Sequence, residues 1–128
     1  MKLLLITVLL FITQVYGYLG ERYSPFTVSV DKHQVRRGDT VQISWTLTPG
    51  VQFPLYGYAS AKTSKTDVGL LAPKSSRTEH YLYLIDSDLS VRDASYTWTV
   101  DDDTPTGKYE IGIGFFYHEV SPEIHVIE

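Results

Sequence analysis

Residues 104–113 read TPTGKYEIGI, a turn that leads into an alternation of apolar residues with small or charged ones. A turn followed by Gly-x-Tyr at the start of a strand is the tyrosine-corner arrangement of immunoglobulin-like sandwiches. We therefore expect the phenol of Tyr109 to hydrogen-bond back across the corner and to satisfy a buried backbone group. The alternation after the corner predicts a strand with one buried face.

The same period of two recurs in short runs that are rich in β-branched and aromatic residues and bounded by turns. No long amphipathic helix is visible. Strands are predicted at about 25–31, 40–48, 55–62, 79–86, 95–100, 108–118 and 123–127. Seven strands with one apolar face each imply two packed sheets, so the predicted fold is an all-β, immunoglobulin-like antiparallel β-sandwich of about seven strands.

The predicted core lies between the two sheets and takes the inward-facing residues of these runs. Between the third and fourth predicted strands, residues 63–78 show the weakest pattern, which indicates an exposed loop with room for a short strand at 69–72. The core residues expected from the alternation are Val41, Ile43, Trp45, Leu47, Trp98, Ile111, Ile113 and Phe115.

The first 17 residues have the pattern of a signal peptide: Lys2, an apolar run over 3–12, and tolerated residues at 15–17. The apolar run is about half of the ~20 residues that a spanning helix needs. We expect cleavage after Gly17, which leaves one domain over 18–128. The predicted product is secreted, extracellular or in the cell wall, without a membrane anchor.

The composition excludes several classes of function. The 128 residues carry a formal net charge of −4, no cysteine and no long basic cluster, so nucleic acid is a poor partner and thiolate zinc sites and thiol catalysis are excluded. There is no Gly-x-Ser-x-Gly elbow and no His-Glu-x-x-His motif. The acidic run 101–103 precedes a turn and is interpreted as solvated rather than calcium-binding. We predict no catalytic residue, no metal and no cofactor.

Five pieces of the sequence share their spacing with a known family: FTV at 26–28, VRRGDTVQISW at 35–45, YTWTV at 96–100, GKYEIGI at 107–113 and SPEI at 121–124. The chain resembles the immunoglobulin-like N-terminal domain of fungal yeast-cell-wall-synthesis proteins, also described as the Ser/Thr-rich GPI-anchored membrane family. The resemblance implies an extracellular role in cell-wall assembly, connected with β-glucan, and no catalytic residues. That family's Ser/Thr-rich stalk is missing here, so we expect a free module.

Two pairs of tyrosines are candidates for ligand binding. Tyr56 with Tyr58 and Tyr81 with Tyr83 each share one face of a predicted strand. If the pairs form one exposed platform, their rings can stack on sugar faces. The alternative is that tyrosine simply suits a half-buried pleated surface.

The last two predicted strands suggest a second candidate surface. A four-residue loop over 120–123 would place His118 opposite His125 and Phe116 opposite Ile127 on the outer face, with Tyr117 on the core side. Such a patch could dock a partner and weaken at acid pH, where two charged histidines repel. Without a third ligand the two histidines do not predict a zinc or copper site. The alternative is an ordinary cross-strand pairing.

Together these patterns predict a secreted, non-enzymatic binding module associated with cell-wall β-glucan assembly. The alternative is a secreted interaction protein that acts on another protein, and a small metal-dependent enzyme ranks third. The expected partner is a cell-wall polysaccharide or an extracellular protein, and the oligomeric state is left open. The predicted ligand-binding residues are Tyr56, Tyr58, Tyr81, Tyr83, Phe116, His118, His125 and Ile127.

Overall fold

The structure is a computed structural model that describes residues 24–128, so the predicted signal peptide and its cleavage site lie outside the described residues. Within this range no helix is long and apolar enough to cross a membrane. A short 3₁₀ turn covers Val91–Asp93. The strands are β1 (Phe26–Val30), β2 (Gln34–Arg36), β3 (Thr40–Leu47), β4 (Lys65–Leu71), β5 (Tyr83–Ser90), β6 (Ser95–Thr99), β7 (Gly107–Ile113), β8 (Glu119–Val120) and β9 (Ile124–Ile127).

The strands form two sheets. One has the order β1-β3-β6, and the other has the order β2-β9-β7-β4-β5, with β8 paired to β7. All pairs are antiparallel except β2 with β9, which is parallel. This is the arrangement of an immunoglobulin-like sandwich. The predicted fold class is confirmed, with nine strands within 24–128 rather than seven.

The tyrosine corner is present at the start of β7. The hydroxyl of Tyr109 donates a hydrogen bond of 2.8 Å to the carbonyl of Pro105. Burial is the main reason that the pKa of this phenol is raised. The corner thereby ties the turn before β7 to the strand itself, as the sequence predicted.

Most of the predicted core is confirmed. Six of the eight expected residues are buried: Val41, Ile43, Trp45, Trp98, Ile111 and Ile113. Leu47 is partly buried against this core. The prediction for Phe115 was wrong: the side chain is 40% exposed, because β7 ends two residues earlier and the backbone leaves the sheet.

The middle of the chain differs from the prediction. Residues 55–62 form turns rather than a strand, and the segment predicted as an exposed loop contains β4, which lies between β7 and β5 in the larger sheet. The end of β4, 68–71, is buried without alternation. A strand covered on both faces loses the period of two that marks a half-exposed strand, which is why the pattern looked weak there. The strand predicted at 79–86 is β5 and begins later, at Tyr83.

The predicted C-terminal hairpin was wrong in register. Residues 114–118 leave β7 as a loop, and β8 folds back so that Val120 pairs with Gly112 near the end of β7. Strand β9 pairs with the start of β7, where His125 lies opposite Lys108. Ile127 lies opposite Arg36 of β2. The two histidines therefore do not pair, and Phe116 does not face Ile127.

Candidate functional site

Three loops meet at one end of the larger sheet. They are the β3–β4 loop (48–64), the β4–β5 loop (72–82) and the β7–β8 loop (114–118). The last of these carries the run Phe-Phe-Tyr at 115–117. Backbone bonds, ring packing and one ion pair hold the three loops together, so they form a single surface.

Backbone hydrogen bonds join the β7–β8 loop to the β3–β4 loop. The amides of Phe116 and Tyr117 both donate to the carbonyl of Gly57, at 2.9 and 3.0 Å, and the amide of Phe115 donates to the carbonyl of Tyr58 at 3.2 Å. The ring of Tyr117 lies directly on Gly57, where an added Cβ would be 2.6 Å from Cδ2. Glycine at 57 therefore permits the close approach of the two loops.

Tyr81 fastens the β4–β5 loop to the sheet. Its ring lies over Gly69 of β4 and Gly112 of β7, where added Cβ atoms would come within 2.6 and 3.0 Å of it. Its hydroxyl donates to the carbonyl of Gly114 at 2.9 Å. Burial and the nearby charge of Asp67 hold the pKa of this phenol above its usual range, so it stays a donor. The two glycines thus leave a flat area on the sheet, and the ring of Tyr81 packs on it.

An ion pair joins the β4–β5 loop to β8. Arg77 of the β4–β5 loop binds the carboxylate of Glu119 in β8 and also the hydroxyl of Tyr58. Tyr58 in turn donates to Oε1 of Glu119 at 2.9 Å. Both charged side chains are largely buried, and a charge-assisted network of this kind restrains the loops that supply its members.

Between these loops lies a cleft of about 460 Å³, which we call the aromatic cleft. One wall is the run 115–117 and the other is polar. Phe116 is 77% exposed and Tyr117 is 49% exposed. Tyr56, also 77% exposed, precedes the glycine to which the aromatic loop is bonded. The lining residues are Asp67, Thr78, Glu79, His80, Tyr81, Phe115, Phe116 and Tyr117.

The four predicted tyrosines do not form one platform. Tyr56 is exposed whereas Tyr58 is buried, and neither lies on a strand. Tyr81 covers the outer face of the larger sheet, whereas Tyr83 lies opposite Leu70 with its ring 6.2 Å from that of Tyr109. Of the eight predicted ligand-binding residues, only Tyr81 and Phe116 line the aromatic cleft.

Sequence reasoning missed the polar wall and the full aromatic run. Asp67 and Thr78 come from the segment predicted to be mostly an exposed loop, and Glu79 and His80 come from the start of the strand predicted at 79–86. One signal was available for the aromatic wall: three consecutive aromatic residues on a strand cannot all face the core, since side chains alternate. The run 115–117 directly after a glycine is typical of a loop that presents rings to solvent.

His118 follows the aromatic run and is 1% exposed, whereas His125 is exposed. Neither ring nitrogen of His118 makes a hydrogen bond of normal geometry among the described residues. The ring packs 5.1 Å from that of Tyr81. Burial is the main cause that lowers the pKa of this histidine. The Ser76 backbone opposes the shift, and the weaker effect of Arg77, which lowers the pKa, exceeds the opposing effect of Glu79.

Acidification is therefore expected to destabilise the fold through His118. The contribution of neutral His118 to the free energy of unfolding is fully present above pH 6.5. It is lost as the pH falls below that value, because the unfolded chain takes up a proton that the folded state resists. The loss is at most ~1.4 kcal/mol per pH unit. Thermal melts across this range check it in the wild type, in His118→Gln and in the exposed control His125→Gln. Equal pH slopes in the wild type and His118→Gln would contradict the assignment.

Within residues 24–128 there is no group of three or more histidine, aspartate or glutamate side chains placed to hold a metal ion. His118 and His125, the pair considered for zinc or copper, lie on separate elements, one buried and one exposed. A scan against models of known protein families finds no match for this chain, and a search of curated proteins finds none.

Proposed function

We propose that the protein is a secreted, non-enzymatic binding module and that the aromatic cleft is its binding surface for a cell-wall polysaccharide. One observation carries the proposal: several large aromatic side chains stay exposed together on loops that the fold holds in place. Phe115, Phe116 and Tyr117, which all line the cleft, are 40%, 77% and 49% exposed. Contiguous exposed apolar surface with a polar rim is typical of an interaction site.

The chemistry of the two walls suits a sugar. Binding sites generally combine aromatic side chains with a few placed polar groups. Here the rings at 115–117 offer flat apolar faces for the C–H face of a pyranose. Thr78, Glu79 and His80 offer donors and acceptors for its hydroxyl groups.

The loops are organised before a ligand arrives. The amide bonds to Gly57, the packing of Tyr81 on Gly69 and Gly112, and the ion pair of Arg77 with Glu119 restrain the backbone of the loops that carry the rings. Preorganised loops lose less conformational entropy on binding, which favours a role in recognition. The cell-wall context itself comes from the family that the sequence resembles, and secretion from the pattern of residues 1–17.

A second candidate function, binding another protein, is favoured by the edge of the larger sheet. Among the described strands β5 pairs only with β4. Leu82 and Leu84 at the start of this edge are both more than half exposed. An exposed apolar edge strand is a template for pairing with a strand of another chain.

Phe116→Ala is expected to weaken retention on insoluble β-glucan by about fivefold, because a ring that contacts a ligand contributes about 1 kcal/mol. The side chain is mostly exposed to solvent, so the melting temperature should change little. The measurement is a pull-down of the mature protein with binding isotherms.

Leu84→Ala is the matched control, since it removes an exposed apolar side chain from the edge of β5. It should bind the polysaccharide as the wild type does. Full retention by Phe116→Ala would rule out the aromatic cleft as the polysaccharide site. A wild-type protein that binds no polysaccharide would overturn the proposal and leave the β5 edge as the candidate surface.

A further inference from the structure

Asp67 stands out among the residues of the aromatic cleft. It lies in β4 where β5 bulges, and its backbone carbonyl accepts the amide of Gly114 at 3.0 Å. Its side chain is half-buried in the lining of the cleft. Burial raises the pKa of this carboxyl. A carboxylate that is partly desolvated gains from a bound cation, which restores the interactions it loses from water.

Among the described residues, no ion pair reaches this carboxylate. The ion pairs within residues 24–128 are Lys65 with Asp88, Arg77 with Glu119, and Lys108 with Glu123. The lining of the cleft adds a second acid, Glu79, and contains no lysine or arginine. The nearest arginine along the chain, Arg77, is already bound to Glu119. The cleft is therefore acidic, and it disfavours an anionic ligand such as a uronic acid polymer.

Aromatic rings line the other side of the same space. The face of an aromatic ring attracts a cation, most strongly where water is partly excluded. Phe115, Phe116 and Tyr117 border the cleft that also contains Asp67. A carboxylate and aromatic faces around one cleft form a complementary environment for an ammonium group.

We infer that the aromatic cleft binds an amino sugar with a free ammonium group, in which Asp67 accepts hydrogen bonds from the ammonium and the rings at 115–117 cover the sugar. The inference rests on the proposed function and names the class of its ligand: a polysaccharide that contains unacetylated glucosamine. A lysine side chain of a protein also carries an ammonium, but its apolar stem cannot use the polar groups of Thr78, Glu79 and His80.

The test compares two ligands that differ at the 2-amino group, which is a charged ammonium in one and a neutral acetamide in the other. Glucosamine oligosaccharides and N-acetylglucosamine oligosaccharides of equal length are titrated into the mature protein by calorimetry at neutral pH. The wild type is expected to bind the charged oligosaccharide about tenfold more tightly, the scale of one charged hydrogen bond. The preference should shrink at high salt.

Asp67→Asn keeps the shape of the side chain and removes its charge, so it should abolish the preference for the charged oligosaccharide. Asp102→Asn removes one charge from the exposed acidic turn and should leave the preference intact. A preference that persists in Asp67→Asn would overturn the inference, since general attraction to an acidic protein would then explain it.

Two other results distinguish a failure of this inference from a failure of the proposed function on which it rests. Equal binding of charged and acetylated oligosaccharides, or of neutral β-glucan alone, would overturn the ammonium site and leave the polysaccharide module standing. Binding of a lysine-containing peptide in preference to every sugar would overturn both and favour a protein partner. Preference for glucosamine that depends on Asp67 supports both.

Discussion

Trp45→Ala is expected to lower the free energy of unfolding by ~3–5 kcal/mol, a large part of the stability of a domain of this size. Trp45 lies in β3 opposite Val28 and is 3% exposed. Its indole Nε1 donates to the carbonyl of Val91 at 2.6 Å, and this bond ties the 3₁₀ turn to β3. Alanine leaves a cavity between the sheets and an acceptor without its donor.

Chemical denaturation of the mature protein measures this loss, and Trp45→Phe separates its two parts. Phenylalanine keeps most of the buried ring but cannot donate to Val91, so it should cost less, ~1–3 kcal/mol. An alanine variant that melts within a few degrees of the wild type would show that Trp45 is not central to the core. A phenylalanine variant as unstable as the alanine variant would assign the main effect to the hydrogen bond.

Gly114→Ala is expected to disrupt the aromatic cleft and to cost ~2–4 kcal/mol of stability. Gly114 directly follows β7 and has a φ of +143°, a conformation that residues with a side chain rarely adopt. An added Cβ would lie 1.8 Å from the carbonyl oxygen of Tyr117 and 2.9 Å from Cα of His118. Both are backbone atoms of the same loop, so the loop itself must move.

The expected functional result is loss of polysaccharide retention, because the rings at 115–117 move with their backbone. Gly50→Ala is the matched control: its φ is +81° and nothing lies within 4 Å of the added Cβ. It should show only the cost of the backbone conformation, ~1 kcal/mol, and normal binding. Equal stability and equal binding in the two variants would contradict the role assigned to Gly114.

Strands that expose one face were predictable from the sequence. β1, β3, β6 and β9 alternate buried with less buried residues, and each was predicted within a few residues of its place. The tyrosine corner was also predictable, since it depends on a local turn and a phenol four residues along. These features are encoded over short distances in the chain.

The candidate site was much less predictable. Phe116 was identified, but for a hairpin that does not form. Asp67 was not identified, because its burial and its place in the lining of the cleft depend on residues that are distant in the chain. The bulges of β5 opposite β4 shift the register, and no local pattern of residues 83–90 reveals them.

Local alternation in the sequence is sufficient to predict the fold class and most of the core, because the burial of alternating apolar residues acts strand by strand. The register of the C-terminal strands and the position of the aromatic run depend on tertiary contacts. At Gly114 the chain can either continue β7 or turn away, and the outcome depends on partners distant in sequence: Gly57 accepts the loop amides, and Tyr81 binds the glycine carbonyl. Long-range hydrogen bonds and ring packing determine which path the chain takes, so a local sequence pattern cannot predict it.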